Sequence, residues 1–321
     1  RLQADGILMV ASAGNEHWNN DFGASYPGSY PLDNILVVGA STPSDSLTSW
    51  SQHGQISVDV AAPGAVIMTT EGKGTDTGSR YGLRNGTSFS APLVAGVAAL
   101  LKSAHPNADY SELKGRIMAS ADTLNGAACT TNTGGRVNAH KALQIAPQPV
   151  PALSQWLWVD GNDGRIDANE SGTLRLEFET FWQRGGATQL LLRSGDSRLQ
   201  VNTPIATVNA MPLNERFTVD FPITAGALSG FANLPLSVQF TAPGFSTQRD
   251  FCVLASSLTD SAPVNGQLQQ NAQDDVHRFT INVPNGADVL ELTLDAGNNA
   301  DLYLRHADWP QRDEVLRRSG S

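Results

Sequence analysis

A serine at the start of an apolar helix is the feature of this sequence with the clearest chemical use. Ser88 lies in the run NGTSFSAP of residues 85–92, and small or apolar residues continue from Leu93 to Leu101. A helix that is apolar all round is expected to be buried. Its first turn presents unpaired backbone N–H groups, which stabilise the oxyanion formed when a hydroxyl attacks a carbonyl. Ser88 is therefore a candidate nucleophile.

A second candidate is Asn15, which follows the apolar segment Ile7–Ala11 and three small residues, Ser12, Ala13 and Gly14. The apolar segment predicts a fully buried strand. In open α/β sheets the functional site lies at the carboxyl ends of the strands. The Asn15 side-chain amide can donate to a developing oxyanion there, together with the backbone N–H of Ser88.

The stretch around Ser88 closely resembles the catalytic-serine motif of the subtilisin-like serine proteases, and residues 12–15 resemble the strand end that carries their oxyanion asparagine. Only Phe89, Ser90 and Leu93 depart from the usual motif, and none removes a group that the chemistry needs. The resemblance covers residues 1–147. It implies the later half of a doubly wound α/β protease domain, with Ser88 as nucleophile and Asn15 as oxyanion donor. Substrate-binding residues Ser12, Ala13 and Gly14 would line one side of the pocket for the residue before the cut.

The implied activity is serine-type endopeptidase chemistry through an acyl-enzyme, which also needs a base and an orienting carboxylate. In the family both precede the Ala-Gly-Asn strand, whereas only Arg1–Gly6 precede it here. His17 and His53 are predicted to be solvent-facing loop histidines. We therefore expect the chain to be the carboxyl-terminal part of a longer protease, and to be inactive alone.

Composition agrees with a secreted, extracellular protein, since only 16% of residues are charged. The net charge of −10 argues against a nucleic-acid partner. No apolar run is expected to reach the length of a membrane span. The implied partner is a protein or peptide substrate, the chemistry requires no cofactor, and we expect a monomer.

Cys129 and Cys252 are the only cysteines, so the chain forms at most one internal disulfide and no cysteine metal cluster. They fall in different predicted domains, and Cys129 lies in a polar loop. Pairing of Cys129 with a cysteine outside this sequence and two free thiols both stay open.

A proline-rich spacer is predicted at residues 146–151, after which helical patterns stop. Residues 148–256 alternate like an antiparallel, immunoglobulin-like β-sandwich. Their acidic loop at residues 160–170 resembles the calcium loops of some secreted modules but departs from the EF-hand register. Asp160, Asn162 and Asp167 are candidate calcium ligands, and a turn rich in Asp and Asn is the alternative.

Residues 257–321 show alternating strands at 273–284, 287–294 and 301–305. They resemble a truncated bacterial pre-peptidase C-terminal (PPC) domain, a small β-sandwich that accompanies secreted proteases. The expected architecture is thus an incomplete α/β protease domain followed by two all-β modules.

Two alternatives stay open. In the first, the chain would be a non-catalytic secreted binding protein on a degenerate protease scaffold. In the second, it would be a surface adhesin with carbohydrate affinity. Retention of both Ser88 and Asn15 with their motifs argues for the protease. The adhesin interpretation depends only on the β modules.

Overall fold

The computed structural model describes residues 1–70, 80–161, 164, 166–228, 231–256, 302–303 and 318–319. Two compact units divide the chain. One comprises Arg1–Ser257 with Val264–Val276, and the other comprises Leu258–Pro263 with His277–Ser321.

Residues 1–147 form a mixed sheet with helices. The elements in chain order are β1 (Met9–Ser12), β2 (Ile35–Ser41), β3 (Val60–Pro63), β4 (Ile67–Thr70), β5 (Tyr81–Arg84), α1 (Thr87–Ala104), α2 (Tyr110–Ala119), β6 (Asp122–Thr123), β7 (Gly135–Arg136) and α3 (Ala139–Gln144). The strand order is β1-β2-β3-β7-β6, parallel except for the antiparallel pair β6–β7. Strands β4 and β5 form a separate antiparallel hairpin.

Strand β2 is buried along its whole length because both of its faces are covered. Leu36 and Val38 share a core cluster with residues of α1, whereas Ile35 and Val37 share another with Ala11. The expectation of a fully buried strand over residues 7–11 was wrong. Strand β1 is at the edge of the sheet, so it is mostly half-buried, and Ile7 precedes it with 46% exposure.

Helix α1 buries only one face, contrary to the all-round burial expected from its composition. Val94, Ala98 and Leu101 point into the core, while Leu93 and Leu100 are 44% and 55% exposed. The packing of α1 on the three strands β1, β2 and β3 accounts for the buried side.

Helix α1 bears on the expectation that no apolar run reaches the length of a membrane span, which stays a prediction. By length and composition alone, this 18-residue helix with mean hydropathy 1.3 is long and apolar enough to cross a membrane. A core helix of a water-soluble protein meets the same criterion, so a single such helix is weak evidence.

Residues 149–256 form two four-stranded antiparallel sheets. Their strands are β8 (Pro149–Val159), β9 (Ser171–Trp182), β10 (Thr188–Ser194), β11 (Leu199–Val201), β12 (Ile205–Val208), β13 (Arg216–Ala225), β14 (Phe231–Ala242) and β15 (Phe245–Ser256). The sheet orders are β12-β10-β14-β15 and β11-β13-β9-β8. One core cluster takes side chains from both sheets, and Phe178 meets Phe240 edge to face at 5.1 Å. The immunoglobulin-like assignment stays a prediction.

The predicted spacer is short, because Pro149 already begins β8. Helix α2 packs directly on β8 and β9, where Met118, Val150 and Trp182 belong to one buried cluster. The Arg116 guanidinium lies 4.4 Å from the centroid of a Trp182 ring. Apolar and cation–π contacts therefore join the sheet-and-helix part to the antiparallel sheets.

Cys129 and Cys252 form a disulfide with each other, with their Cα atoms 5.4 Å apart. Neither of the alternatives left open by the sequence applies, because the polar loop of Cys129 folds against β15. Gln55 reinforces this contact, since its side-chain amide donates to the carbonyl oxygen of Cys252 and accepts from its N–H, both at 2.7 Å.

In the second unit the described residues form strands β16 (Leu302–Tyr303) and β17 (Arg318–Ser319), which pair antiparallel. The strand predicted at 301–305 includes β16. The strands predicted at 273–284 and 287–294 lie outside the described residues, so the PPC-like domain stays a prediction.

Candidate active site

Ser88 lies in the first turn of α1, which begins at Thr87 after Gly86 with φ 150°. Its side chain is exposed. The turn is anchored because Ser90 Oγ donates to the carbonyl oxygens of Ala62 and Pro63 at 3.0 and 3.2 Å. The N–H of Gly86 donates to the carbonyl oxygen of Gly64 at 2.9 Å. Ser88 thus presents its hydroxyl to solvent from a helix N-terminus held against β3.

Asn15 meets this turn from the end of β1. Its Oδ1 accepts hydrogen bonds from the backbone N–H and the hydroxyl of Thr87, at 2.9 and 3.0 Å. The Thr87 hydroxyl also accepts from the N–H of Gly14 at 3.2 Å. Because Oδ1 is committed to Thr87, the exposed Asn15 side chain keeps its Nδ2 hydrogens for an external acceptor. The structure thus bonds Asn15 to Thr87, the residue directly before Ser88.

The predicted pocket residues Ser12, Ala13 and Gly14 lie directly before Asn15. Ala13 is fully buried, and its N–H donates to the carbonyl oxygen of Val38. Gly14 has φ 116°, and a Cβ there would lie 1.1 Å from Gln52 Oε1. Only glycine fits at this position, because the Gln52 amide occupies the space of a side chain.

A cavity of about 360 Å³ adjoins this strand end, and its lining residues are Glu16, Trp18, Gly23, Ala24 and Gln52. The cavity adjoins Asn15, because its lining residue Glu16 follows Asn15 directly in the chain. The Gln52 backbone N–H donates to the carbonyl oxygen of Gly14 at 2.9 Å.

The prediction of a solvent-facing His53 was wrong, because this residue is only 2% exposed. Its backbone N–H donates to the carbonyl oxygen of Trp18, and its carbonyl oxygen accepts from Asn20. The neighbouring Asp21 carboxylate accepts from the backbone of Ser57 at 2.8 Å, and burial raises the pKa of Asp21. Packing between two polar loops therefore buries a histidine that its polar sequence context placed at the surface.

His17 is half-buried, and its Nδ1 contacts the carbonyl oxygen of Ser49. Like His53, it lies where the loop after β1 packs on the loop before β3.

The candidate calcium residues are only partly described. Asp160 and Asp167 are half-buried, and Asn162 lies outside the described residues. Glu170, which was not predicted as a ligand, accepts from Trp158 Nε1 at 3.2 Å and from the N–H of Asp167 at 3.1 Å. Burial raises the pKa of Glu170, and the nearby Asp160 charge adds to this. Within the described part of the chain, no group of three or more His, Cys, Asp or Glu residues is arranged to hold a metal.

Sequence reasoning missed two positioning residues, Thr87 and Gln52. Thr87 stands beside Ser88 in the motif, so its position was available, but its bonds to Asn15 appear only when β1 and α1 meet. Gln52 has no recognisable signal, because a glutamine in a polar loop is ordinarily exposed. Its burial to 7% exposure results from packing under Gly14.

Comparison with known proteins gives consistent matches for this region. Residues 1–139 match the family model Peptidase_S8, described as the subtilase family. Thermophilic serine proteinase of Bacillus sp. (strain AK1) is 39% identical over 138 residues, 43% of this chain and 31% of that protein. Extracellular basic protease of Dichelobacter nodosus is 36% identical over 162 residues, which are 47% of this chain and 26% of that protein. Thermitase of Thermoactinomyces vulgaris is 38% identical over 139 residues, which are 43% of this chain and 45% of that protein.

The chain spans less than half of the length of each of these relatives. The match ends before β8, so the antiparallel sheets lie outside the family model. Residues 1–139 of this chain are homologous to the subtilisin-like serine proteases of the subtilase family.

Proposed function

We propose that the protein is a serine endopeptidase whose nucleophile is Ser88. The Ser88 hydroxyl attacks the carbonyl carbon of a peptide bond, and the carbonyl oxygen becomes an oxyanion. Asn15 Nδ2 and the backbone N–H of Ser88 donate to that oxyanion. A base takes the proton of the Ser88 hydroxyl during the attack and gives it to the leaving nitrogen, so collapse of the intermediate expels the amine and leaves an acyl-enzyme, which water hydrolyses.

The observation that carries this proposal is the double hydrogen bond from Thr87 to Asn15 Oδ1. It orients a side-chain donor next to an exposed serine at a helix N-terminus, which is the arrangement that oxyanion stabilisation requires. A helix cap without catalytic purpose would not need an asparagine from a distant strand. The homology of residues 1–139 to subtilases supports the same chemistry.

The base and its orienting carboxylate have no match to the family motif in the 321 residues. We therefore propose that a segment outside this sequence contributes the Asp and the His, and that the 321-residue chain alone does not digest protein. Without a triad member, residual acceleration is about a thousand- to ten-thousand-fold over water, too slow for digestion.

An extracellular location is proposed from the relatives, one of which is named an extracellular protease. The internal disulfide between Cys129 and Cys252 supports it, since disulfides persist in oxidising compartments. The substrate would be a protein or peptide, and the β modules would serve export or attachment. The non-catalytic binding protein is the competing function.

The test begins with the coding DNA upstream of Arg1, searched for a strand-ending Asp followed by His-Gly-Thr. The longer product is then assayed for casein cleavage and for labelling by a fluorophosphonate, beside the 321-residue chain. We expect cleavage and labelling by the longer product only, both abolished by Ser88→Ala. A reading frame without these motifs, or cleavage that survives Ser88→Ala, would favour the binding-protein function.

Calcium at Asp160, Asn162 and Asp167 is a separate proposal, supported by the proximity of the Asp160 and Glu170 carboxyls, which a cation would neutralise. Thermal unfolding is compared with calcium and with chelator, in wild type and in Asp160→Asn. A midpoint raised by calcium only in the wild type supports the site, and equal midpoints exclude it.

A further inference from the structure

We propose that Gln55 is a positioning residue for the oxyanion donor Asn15, which it holds in place from the antiparallel sheets of residues 149–256. Gln55 lies in the loop of residues 52–57, which we call the support loop. One end of this loop contacts the segment that carries Asn15, and the other end contacts strand β15. The catalytic role of Asn15 rests on the proposed function, whereas the hold of Gln55 on the loop does not.

The first residues of the support loop lie directly against the site. The Gln52 N–H donates to the carbonyl oxygen of Gly14 at 2.9 Å, and the Gln52 side-chain amide fills the space where a Gly14 Cβ would lie. The carbonyl oxygen of His53 accepts from the N–H of Asn20 at 2.6 Å. Because Gly14 immediately precedes Asn15, a displacement of the support loop would move the backbone that carries the oxyanion donor.

The far end of the support loop is bound to β15 by the Gln55 side chain. Gln55 Nε2 donates to the carbonyl oxygen of Cys252, and Gln55 Oε1 accepts from the Cys252 N–H, both at 2.7 Å. Strand β15 is at the edge of its sheet, so this amide pairs with both backbone groups of one residue as a neighbouring strand would. Ile56, the next residue, packs against the core cluster that the two antiparallel sheets share.

A second segment also holds the support loop, and the disulfide ties that segment to β15. The Gly54 N–H donates to the carbonyl oxygen of Thr130 at 2.8 Å, and Asn132 Nδ2 donates to the carbonyl oxygen of Gln55 at 3.0 Å. Thr130 follows Cys129 directly, and the disulfide of Cys129 joins this segment to β15. The support loop is therefore bound to two segments that are themselves covalently joined.

The connection from β15 to the site is short. Only His53 and Gly54 separate Gln52 from Gln55, and the backbone N–H groups of both are hydrogen-bonded. A displacement at Gln55 is thus passed to Gln52 with little slack. A misplacement of about 1 Å at a catalytic group can lower the rate about a hundredfold. Because the other contacts of the support loop remain, we expect the loss of the Gln55 contacts to lower kcat by about tenfold.

The test replaces Gln55 with methionine, which has a similar length but no amide, in the complete protease. We expect kcat for peptide cleavage to fall about tenfold. In an Asn15→Ala background, Gln55→Met should change kcat by less than about twofold, because the donor that Gln55 positions is already absent. Equal falls in the two backgrounds would overturn the proposal, since an effect that does not act through Asn15 is additive with Asn15→Ala.

Two controls separate positioning from a loss of stability. Gln248→Met makes the same change at an exposed residue of β15, whose amide donates to Asp250, and its kcat should equal that of the wild type. Leu190→Ala removes a fully buried side chain of β10 from the shared core. It should unfold at lower urea and keep kcat within about twofold where the protein is folded. A fall in kcat in either control as large as that in Gln55→Met would also overturn the proposal.

Hydrogen exchange in the 321-residue chain tests the hold on Asn15 without bond cleavage. The backbone N–H groups of Gly14 and Gln52 are both hydrogen-bonded at this contact. Gln55→Met should speed their exchange at least about tenfold relative to the amides of β2, and Gln248→Met should not. Exchange that Gln55→Met leaves unchanged would overturn the proposal.

The two measurements distinguish this proposal from the proposed function. Faster exchange at Gly14 and Gln52, in a protein whose longer product never cleaves peptides, would refute the protease and retain the hold of Gln55 on the site. Cleavage by the longer product, with both kcat and exchange unaffected by Gln55→Met, would do the reverse.

Discussion

Asn15 Oδ1 accepts hydrogen bonds from both the N–H and the hydroxyl of Thr87, at 2.9 and 3.0 Å, although 72 residues separate the two in the chain. The Thr87 hydroxyl accepts in turn from the Gly14 N–H. These bonds join the end of β1 to the first turn of α1. They fix which way the Asn15 amide points, and so which of its atoms is left for a ligand.

Replacing Thr87 with valine should therefore harm both stability and catalysis. The fully buried Thr87 would lose its hydroxyl, leaving the Gly14 N–H without this acceptor, at a cost of about 1–3 kcal/mol in the free energy of unfolding. In the complete protease, kcat should fall more than KM changes, because the oxyanion donor becomes loose. Urea denaturation and steady-state kinetics measure the two effects. Thr87→Ser keeps the hydroxyl and is the control; equal stability of the two variants would contradict the prediction.

Two glycine-to-alanine changes should have opposite effects on stability. A Cβ at Gly64 would lie 2.3 Å from Ser90 Oγ and 2.5 Å from the Ala40 Cβ, in the contact that anchors α1 to β3. Gly64→Ala should thus destabilise by about 1–3 kcal/mol through overpacking. Gly96 lies within α1 with open space around it, so Gly96→Ala should stabilise by about 0.5–1 kcal/mol. Thermal unfolding of both variants tests this prediction. Unfolding midpoints that shift in the same direction would contradict it.

The disulfide should contribute substantially to the stability of residues 1–256. Cys129 and Cys252 enclose a separation of 123 residues, and loss of a native disulfide typically costs about 2–5 kcal/mol. We expect reductant to lower the urea midpoint of the wild type to that of Cys129→Ala/Cys252→Ala. The double variant should be indifferent to reductant. If reductant leaves the wild-type midpoint unchanged, the link makes no contribution.

Glu179 should make folding less favourable as pH rises towards neutrality. It is 7% exposed; burial, followed by the nearby Asp33 charge, raises its pKa from 4.5 to about 7, against the opposing effect of Lys114 and Arg216. Between pH 4.5 and 7 the folded state thus binds more protons than the unfolded state. The free energy of unfolding gained from this proton is complete below the unfolded pKa and is lost as pH rises through about 7.

Urea denaturation across this pH window should show the decrease for wild type and for Glu215→Gln, an exposed control. Glu179→Gln, which cannot lose a proton, should show a flatter profile. A slope unchanged by Glu179→Gln would assign the pH dependence to other groups.

The sequence alone was sufficient to predict the elements that position the candidate site, because their signals are local. The motif around Ser88 predicts the start of α1, and the apolar segment before Ser12 predicts a strand where the structure has β1. Alternation over residues 148–256 likewise predicts antiparallel strands, which the structure has from β8 to β15. Each of these signals depends on side chains within a few residues of one another.

Only the tertiary structure decided which residues meet across the chain. The pairing of Cys129 with Cys252, the burial of His53 and the packing of Gln52 under Gly14 all arise where distant loops pack together. The exposed side of α1 has the same origin, since composition reports how apolar a helix is but not how many neighbours cover it. Local periodicity determines secondary structure, whereas burial and hydrogen-bond partners depend on contacts between segments that are far apart in sequence.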